Sequence, residues 1–140
     1  MNTIQCAILV EKIKRYPWEI EQRQRIANNF SEAFLPFEPK GIIVPRVPKE
    51  QTNVWAQYTL ALVKRTEFQA FLQEKGVPTT VHYPSTMPAQ PAYKNNGRSL
   101  PVPLADKAAQ TVVSVPMYAD MSESMQNQVI DACVSFFKKI

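Results

Sequence analysis

The chain has 140 residues, of which 45% are apolar and 20% charged, and its formal net charge is +4. This is the balance of one soluble globular domain; it excludes a disordered tail and a collagen-like fibre, and no apolar run is long enough to span a membrane. Twelve prolines stand against three glycines, and since glycine supplies positive φ and close backbone approach, the wall of a site is expected here and a cofactor-cradling floor is not.

Proline placement divides the chain. Residues 1–35 hold only Pro17, residues 36–116 hold the other eleven, and residues 117–140 hold none. A first helix is predicted over 2–16, with Ile4, Cys6, Ala7, Ile8, Leu9, Val10 and Ile13 covering most of its circumference. A helix apolar nearly all round is normally buried between neighbours. Pro17 is expected to break it, since proline lacks an N–H and suits a first turn. A second, amphipathic helix over 18–35 then presents Ile26, Phe30, Ala33 and Phe34 on one face.

Residues 41–47 read as an edge strand, because Pro45 cannot donate to a central ladder. Residues 54–63 alternate as a strand, with Val54, Ala56, Tyr58, Leu60 and Leu62 on one side. Thr66 and Gln69 form a capping-box pattern for a helix that ends at Gly76. Val77–Tyr83 is predicted as a short strand, 84–101 as a proline-rich loop, 103–110 as a short helix and 111–115 as a β-branched strand. Ser122 caps a last helix with Glu123 in its first turn and Lys138 and Lys139 in its last, which suits the helix dipole. The order gives an α+β domain: a small, antiparallel-type sheet of three to four strands with helices packed on one face, preceded by two N-terminal helices.

Few residues offer chemistry. His82 is the only histidine, the three aspartates Asp106, Asp120 and Asp131 are far apart in sequence, and there is no G-x-S-x-G elbow. No metal site and no catalytic residue is therefore assigned. Cys6 and Cys133 lie in apolar helical patterns and are expected to be buried free thiols of a cytoplasmic protein. Gly41, Gly76 and Gly97 are too scattered for a phosphate cradle. The basic residues are scattered too, so a nucleic-acid interface is not expected. His82-Tyr83-Pro84 and Gln90-Pro91-Ala92-Tyr93 put an imidazole, a phenol and an amide in one loop. That set could suit a sugar or a uracil-like ring, but on the residues alone a stiff loop whose aromatics plug onto the sheet is the favoured reading.

The segments Met1–Leu9, Arg23 with Ala27, Val54-Trp55-Ala56-Gln57-Tyr58, Gly76-Val77-Pro78-Thr79, His82-Tyr83-Pro84, Gln90-Pro91-Ala92-Tyr93 and Ser114-Val115-Pro116-Met117 resemble, in order, the C-terminal part of the DegT/StrS-type aminotransferases. These are fold-type-I, pyridoxal-phosphate-dependent enzymes that aminate nucleotide-linked keto-sugars. The resemblance implies that 1–35 is a helical segment packed on a large domain and that 36–140 is the small domain. It places a Gly-x-Asn-x-Arg motif just before Met1, and the Schiff-base lysine, the pyridine-binding aspartate and the phosphate site in the large domain. This chain alone is thus expected to hold no cofactor and to be inactive, as a fragment or truncated product. His82 and Tyr83 are implied as nucleotide-sugar contacts, with Gln90 and Tyr93 beside them, and Pro88 stands where the family often has a second histidine. The apolar N-terminal helix, deprived of its large domain, is expected to drive homodimerisation or higher self-association. The rival reading is a free-standing dimerisation or regulatory module derived from such an enzyme.

Overall fold

The computed structural model describes residues 2–93 and 100–140. It is an α+β arrangement of four helices and a three-stranded antiparallel sheet. The elements are α1 (Thr3–Phe34), a 3-10 turn (Leu35–Lys40), β1 (Ile42–Ile43), β2 (Tyr58–Leu62), α2 (Arg65–Glu74), a second 3-10 turn (Met87–Ala89), α3 (Pro103–Thr111), β3 (Val112–Val115) and α4 (Glu123–Lys139). The strands are ordered β1-β2-β3, with Ile42 opposite Leu62 and Tyr58 opposite Val115.

The two predicted N-terminal helices are one. α1 runs through Pro17 without a break over 32 residues. Proline removes one i→i−4 bond and crowds the turn before it. Here that turn is exposed, so water can take the orphaned carbonyl of Ile13, and the helix is anchored beyond it by buried Ile26, Ala27, Phe30 and Phe34. Its start is fixed by a capping box: Asn2 Oδ1 accepts from Gln5 N–H at 2.9 Å, and Gln5 Oε1 accepts from Asn2 N–H at 3.1 Å.

The core lies between the Tyr58-Leu60-Leu62 face of β2 and a layer formed by the second half of α1 with α2 and α4. Aromatic rings join these elements. Tyr58 meets Phe30 edge-on at 5.3 Å, Phe34 meets Phe137 edge-on at 5.6 Å, and Phe137 stacks on Phe68 at 5.7 Å. Such pairs add about 0.5–1.5 kcal/mol each to their burial. Burial also pushes the Tyr58 phenol up to about 12, against a hydrogen bond from Ser31 that lowers it and the nearby Cys133 that raises it further. Cys133 is buried and its thiol is pushed upward by desolvation. Cys6 is exposed, contrary to expectation, because among the described residues no apolar surface of this chain covers the first turns of α1.

Other boundaries differ for local reasons. The strand predicted over 54–63 is regular only from Tyr58. Trp55 takes a positive φ of 50° and turns inward. It is held there by its indole N–H to Gln24 Oε1 at 3.0 Å and by Arg23, which donates to its carbonyl at 3.0 Å. Val54 is left outside. The Thr66–Gln69 capping box does not form: Lys64 is the N-cap, without a side-chain bond, and Gln69 instead reaches Thr79 Oγ1 at 3.1 Å. α2 ends as expected at Gly76, whose φ of +73° is left-handed. Ser122 caps α4 by accepting from Met125 N–H. The strand predicted over 77–83 contracts to one bridge, Thr80 to Ser114, since Pro78 and Pro84 remove the ladder donors on either side. Gly97 lies outside the described residues.

Candidate functional site

The bridge pins the start of the proline-rich loop to the sheet. Thr80 N–H donates to Ser114 O at 3.0 Å and Ser114 N–H to Thr80 O at 2.7 Å. Ser114 is buried, and its hydroxyl lies 2.9 Å from that of Thr59. His82 follows two residues later, on a rigid footing.

From there the loop forms one wall of a groove of about 610 Å3. His82, Tyr83, Thr86 and Gln90 lie on that wall, and Ala105, Ala108 and Ala109 of α3 form much of the other. The structure thus brings together three of the four residues singled out in the sequence. Tyr93 is not among the lining residues; its N–H donates to Gln90 O at 2.9 Å in a turn just past the groove. Pro88 lines the groove within the 3-10 turn. The aromatics do not plug onto the sheet: Tyr83 is 74% exposed and Tyr93 43%. A second, smaller hollow of about 220 Å3 opens on the sheet side of His82, among Gln57, Thr80, Ser114 and Pro116. The imidazole therefore stands between two concavities.

Two ties that the sequence did not reveal hold the groove walls. Thr86 Oγ1 donates to Asp106 Oδ1 at 2.8 Å, linking loop to α3. Arg65, at the start of α2, donates to the carbonyl of Ala109 near the end of α3. No spacing signals a bond between residues so far apart in the chain. The i, i+3, i+4 placement of Ala105, Ala108 and Ala109 was a readable sign that one side of α3 allows close approach.

Pyridoxal chemistry needs a lysine to form the imine and a carboxylate beneath the ring nitrogen. Among the described residues, no lysine and no carboxylate lines the groove. Lys40 donates to Phe137 O at 3.0 Å, and Lys75 and Lys139 lie over the Phe71 ring. The residues of this groove do not fit that cofactor. Among the described residues no group of three His, Cys, Asp or Glu could hold a metal ion, and no helix is long and apolar enough to cross a membrane.

A model of the DegT/DnrJ/EryC1/StrS aminotransferase family matches residues 1–134. The chain belongs to this family. A UDP-2-acetamido-2-deoxy-3-oxo-D-glucuronate aminotransferase of Pseudomonas aeruginosa is 39% identical over 118 residues, which are 84% of this chain and 32% of that protein. A pleiotropic regulatory protein of Geobacillus stearothermophilus is 30% identical over 139 residues, 99% of this chain and 37% of that one. A DegT/DnrJ/EryC1/StrS aminotransferase from Brucella abortus superposes with a TM-score of 0.86 at 30% identity, covering 98% of this chain and 36% of its own. The chain thus spans about a third of the length of the family members it matches.

Proposed function

We propose that this chain is the C-terminal, substrate-side part of a pyridoxal-phosphate-dependent aminotransferase acting on nucleotide-linked keto-sugars, working in the cytoplasm. The observation that carries this is the convergence of His82, Tyr83 and Gln90 on one groove in a chain whose family match runs nearly end to end. The imidazole, phenol and amide supply donors and acceptors for a sugar or base, and the alanine side of α3 supplies an apolar wall. Tyr93 is the weaker contact, just outside. In this reading residues 1–35 pack their apolar helix on a large domain that brings the cofactor and its lysine, and residues 36–140 are the small domain.

Pyridoxal phosphate would be held by that larger portion, where it supplies the electron sink for transamination. The 140-residue chain by itself is then inactive. Adding pyridoxal phosphate and an amino donor to it should give no imine absorbance and no turnover. Titrating a UDP-sugar should shift the His82 ring resonances; turnover in the first experiment overturns the inactivity of the chain alone, and silence in the second overturns nucleotide-sugar binding by this groove on its own.

A second reading is favoured by the exposed apolar face of α1 together with the regulatory name of the 30%-identical relative. Here the chain acts as a dimerisation or regulatory module. It predicts stable self-association, or co-purification with an intact family enzyme, without any response of His82 to nucleotide-sugars.

A further inference from the structure

α3 is the unusual wall of the groove. None of its residues is buried, and Leu104 is 83% exposed. An element without buried apolar contacts opens at a small fraction of the global unfolding free energy unless something else holds it. Among the described residues, the side-chain bonds that tie α3 to other elements sit towards its two ends: the Thr86–Asp106 hydrogen bond at the first turn and the Arg65 guanidinium on the carbonyl of Ala109 at the last. The second tie anchors α3 to α2 and the body of the domain. The first joins the loop that forms one wall of the groove to the helix that forms the other.

We propose that Thr86 and Asp106 form a clasp that holds α3 against the His82–Gln90 loop and thereby sets the width of the groove and its affinity for a nucleotide-sugar. Thr86 lines the groove, whereas Asp106 does not; Asp106 acts through Thr86 and is a positioning residue. Asp106 is suited to this. It lies in the first turn of α3, where a carboxylate is favoured by the unpaired backbone N–H groups, and its carboxylate oxygen accepts the threonine O–H in a charge-assisted hydrogen bond. The affinity half of the proposal rests on the reading of the groove given above; the clasp itself does not.

The test uses the whole 140-residue chain. Amide exchange of α3 is compared between the parent, Thr86→Val, Thr86→Ser and Asp106→Asn, and UDP-N-acetylglucosamine is titrated against each while the His82 ring is followed by NMR. Valine keeps the shape of threonine without the hydroxyl, and serine keeps the hydroxyl. Exchange in α3 should rise at least about tenfold in Thr86→Val, the effect of losing one hydrogen bond to a charged group, and return to the parent rate in Thr86→Ser. The amides of residues 26–34 and of α4 should not change. Affinity should follow the same order, parent and Thr86→Ser above Thr86→Val and Asp106→Asn. Equal exchange in parent and Thr86→Val, or equally fast exchange in the serine and valine variants, overturns the clasp. A parent chain that does not respond to the nucleotide-sugar overturns the groove reading and the affinity half, while the exchange series still decides whether the clasp exists.

Discussion

Residues 3–18 and 19–34 belong to one unbroken helix, and one apolar spacing runs through both. Leu9, Ile13, Tyr16 and Ile20 continue in steps of three and four, with Arg23 interposed, to Ala27, Phe30 and Phe34. In the second half that stripe enters the core, and Ala27, Phe30 and Phe34 have no exposure. In the first half it meets nothing: Leu9, Ile13 and Tyr16 are 45%, 60% and 50% exposed. Spacing specifies a face. Which neighbour covers the face depends on what else is present, and here the same pattern is satisfied at one end and unsatisfied at the other.

The sharpest way to break this comparison is to truncate one side chain in each half. Phe34 touches Phe30, Tyr58 and Phe137. Phe34→Ala should cost about 3–5 kcal/mol in urea unfolding. Ile13→Ala should cost less than about 0.5 kcal/mol, because nothing in this chain packs on it. Equal costs would mean that the two halves share one environment.

Alkaline titration sharpens the buried side. The Tyr58 phenol is raised from its ordinary 10.0 to about 12, chiefly by desolvation. The folded state therefore favours the protonated phenol. Its contribution is complete below pH 10 and is lost as pH climbs from 10 through about 12, up to about 3 kcal/mol for a shift of that size. Tyr58→Phe should remove this part of the alkaline loss. Stability curves at successive pH values check it.

How much of this was legible in the sequence follows the same division. The buried face of the second helical segment, the Tyr58-Leu60-Leu62 alternation, the Gly76 stop and the Ser122 cap were readable, because each is a local pattern with a local cause. Pro17 misled: its cost is local, while the anchoring of α1 comes from rings on β2 and α4. Trp55 misled as well, since a positive φ secured by Gln24 and Arg23 reverses the alternation and no strand pattern reports it. At the site, loop chemistry singled out His82, Tyr83 and Gln90, but Thr86–Asp106 depends on how the chain folds back over twenty residues.

The exposed half can be tested against a second copy of the chain. If its face drives self-association, Ile8→Glu with Ile13→Glu removes two isoleucines from the contact, each worth about 2 kcal/mol when fully buried. The dissociation constant in sedimentation equilibrium should then weaken by more than about tenfold. A double variant that associates like its parent removes α1 as the contact.

The smallest expected effect on global stability comes from Pro17, and it bears most directly on whether the two halves are separate. An interior proline costs a helix about 3 kcal/mol relative to alanine, because it lacks the N–H that would meet the Ile13 carbonyl and its ring crowds the preceding turn. That cost falls on a segment whose tie to the body is the ion pair of Arg15 with Asp120, both exposed. Pro17→Ala should therefore slow amide exchange over residues 10–16 by more than about tenfold. The urea midpoint should move by the equivalent of less than about 0.5 kcal/mol, since the core begins beyond the site of the change. If the midpoint instead shifted as far as Phe34→Ala moves it in the opposite direction, the helix would be melting as one cooperative unit, and the exposed half would be contributing to the fold through its continuity with the buried one.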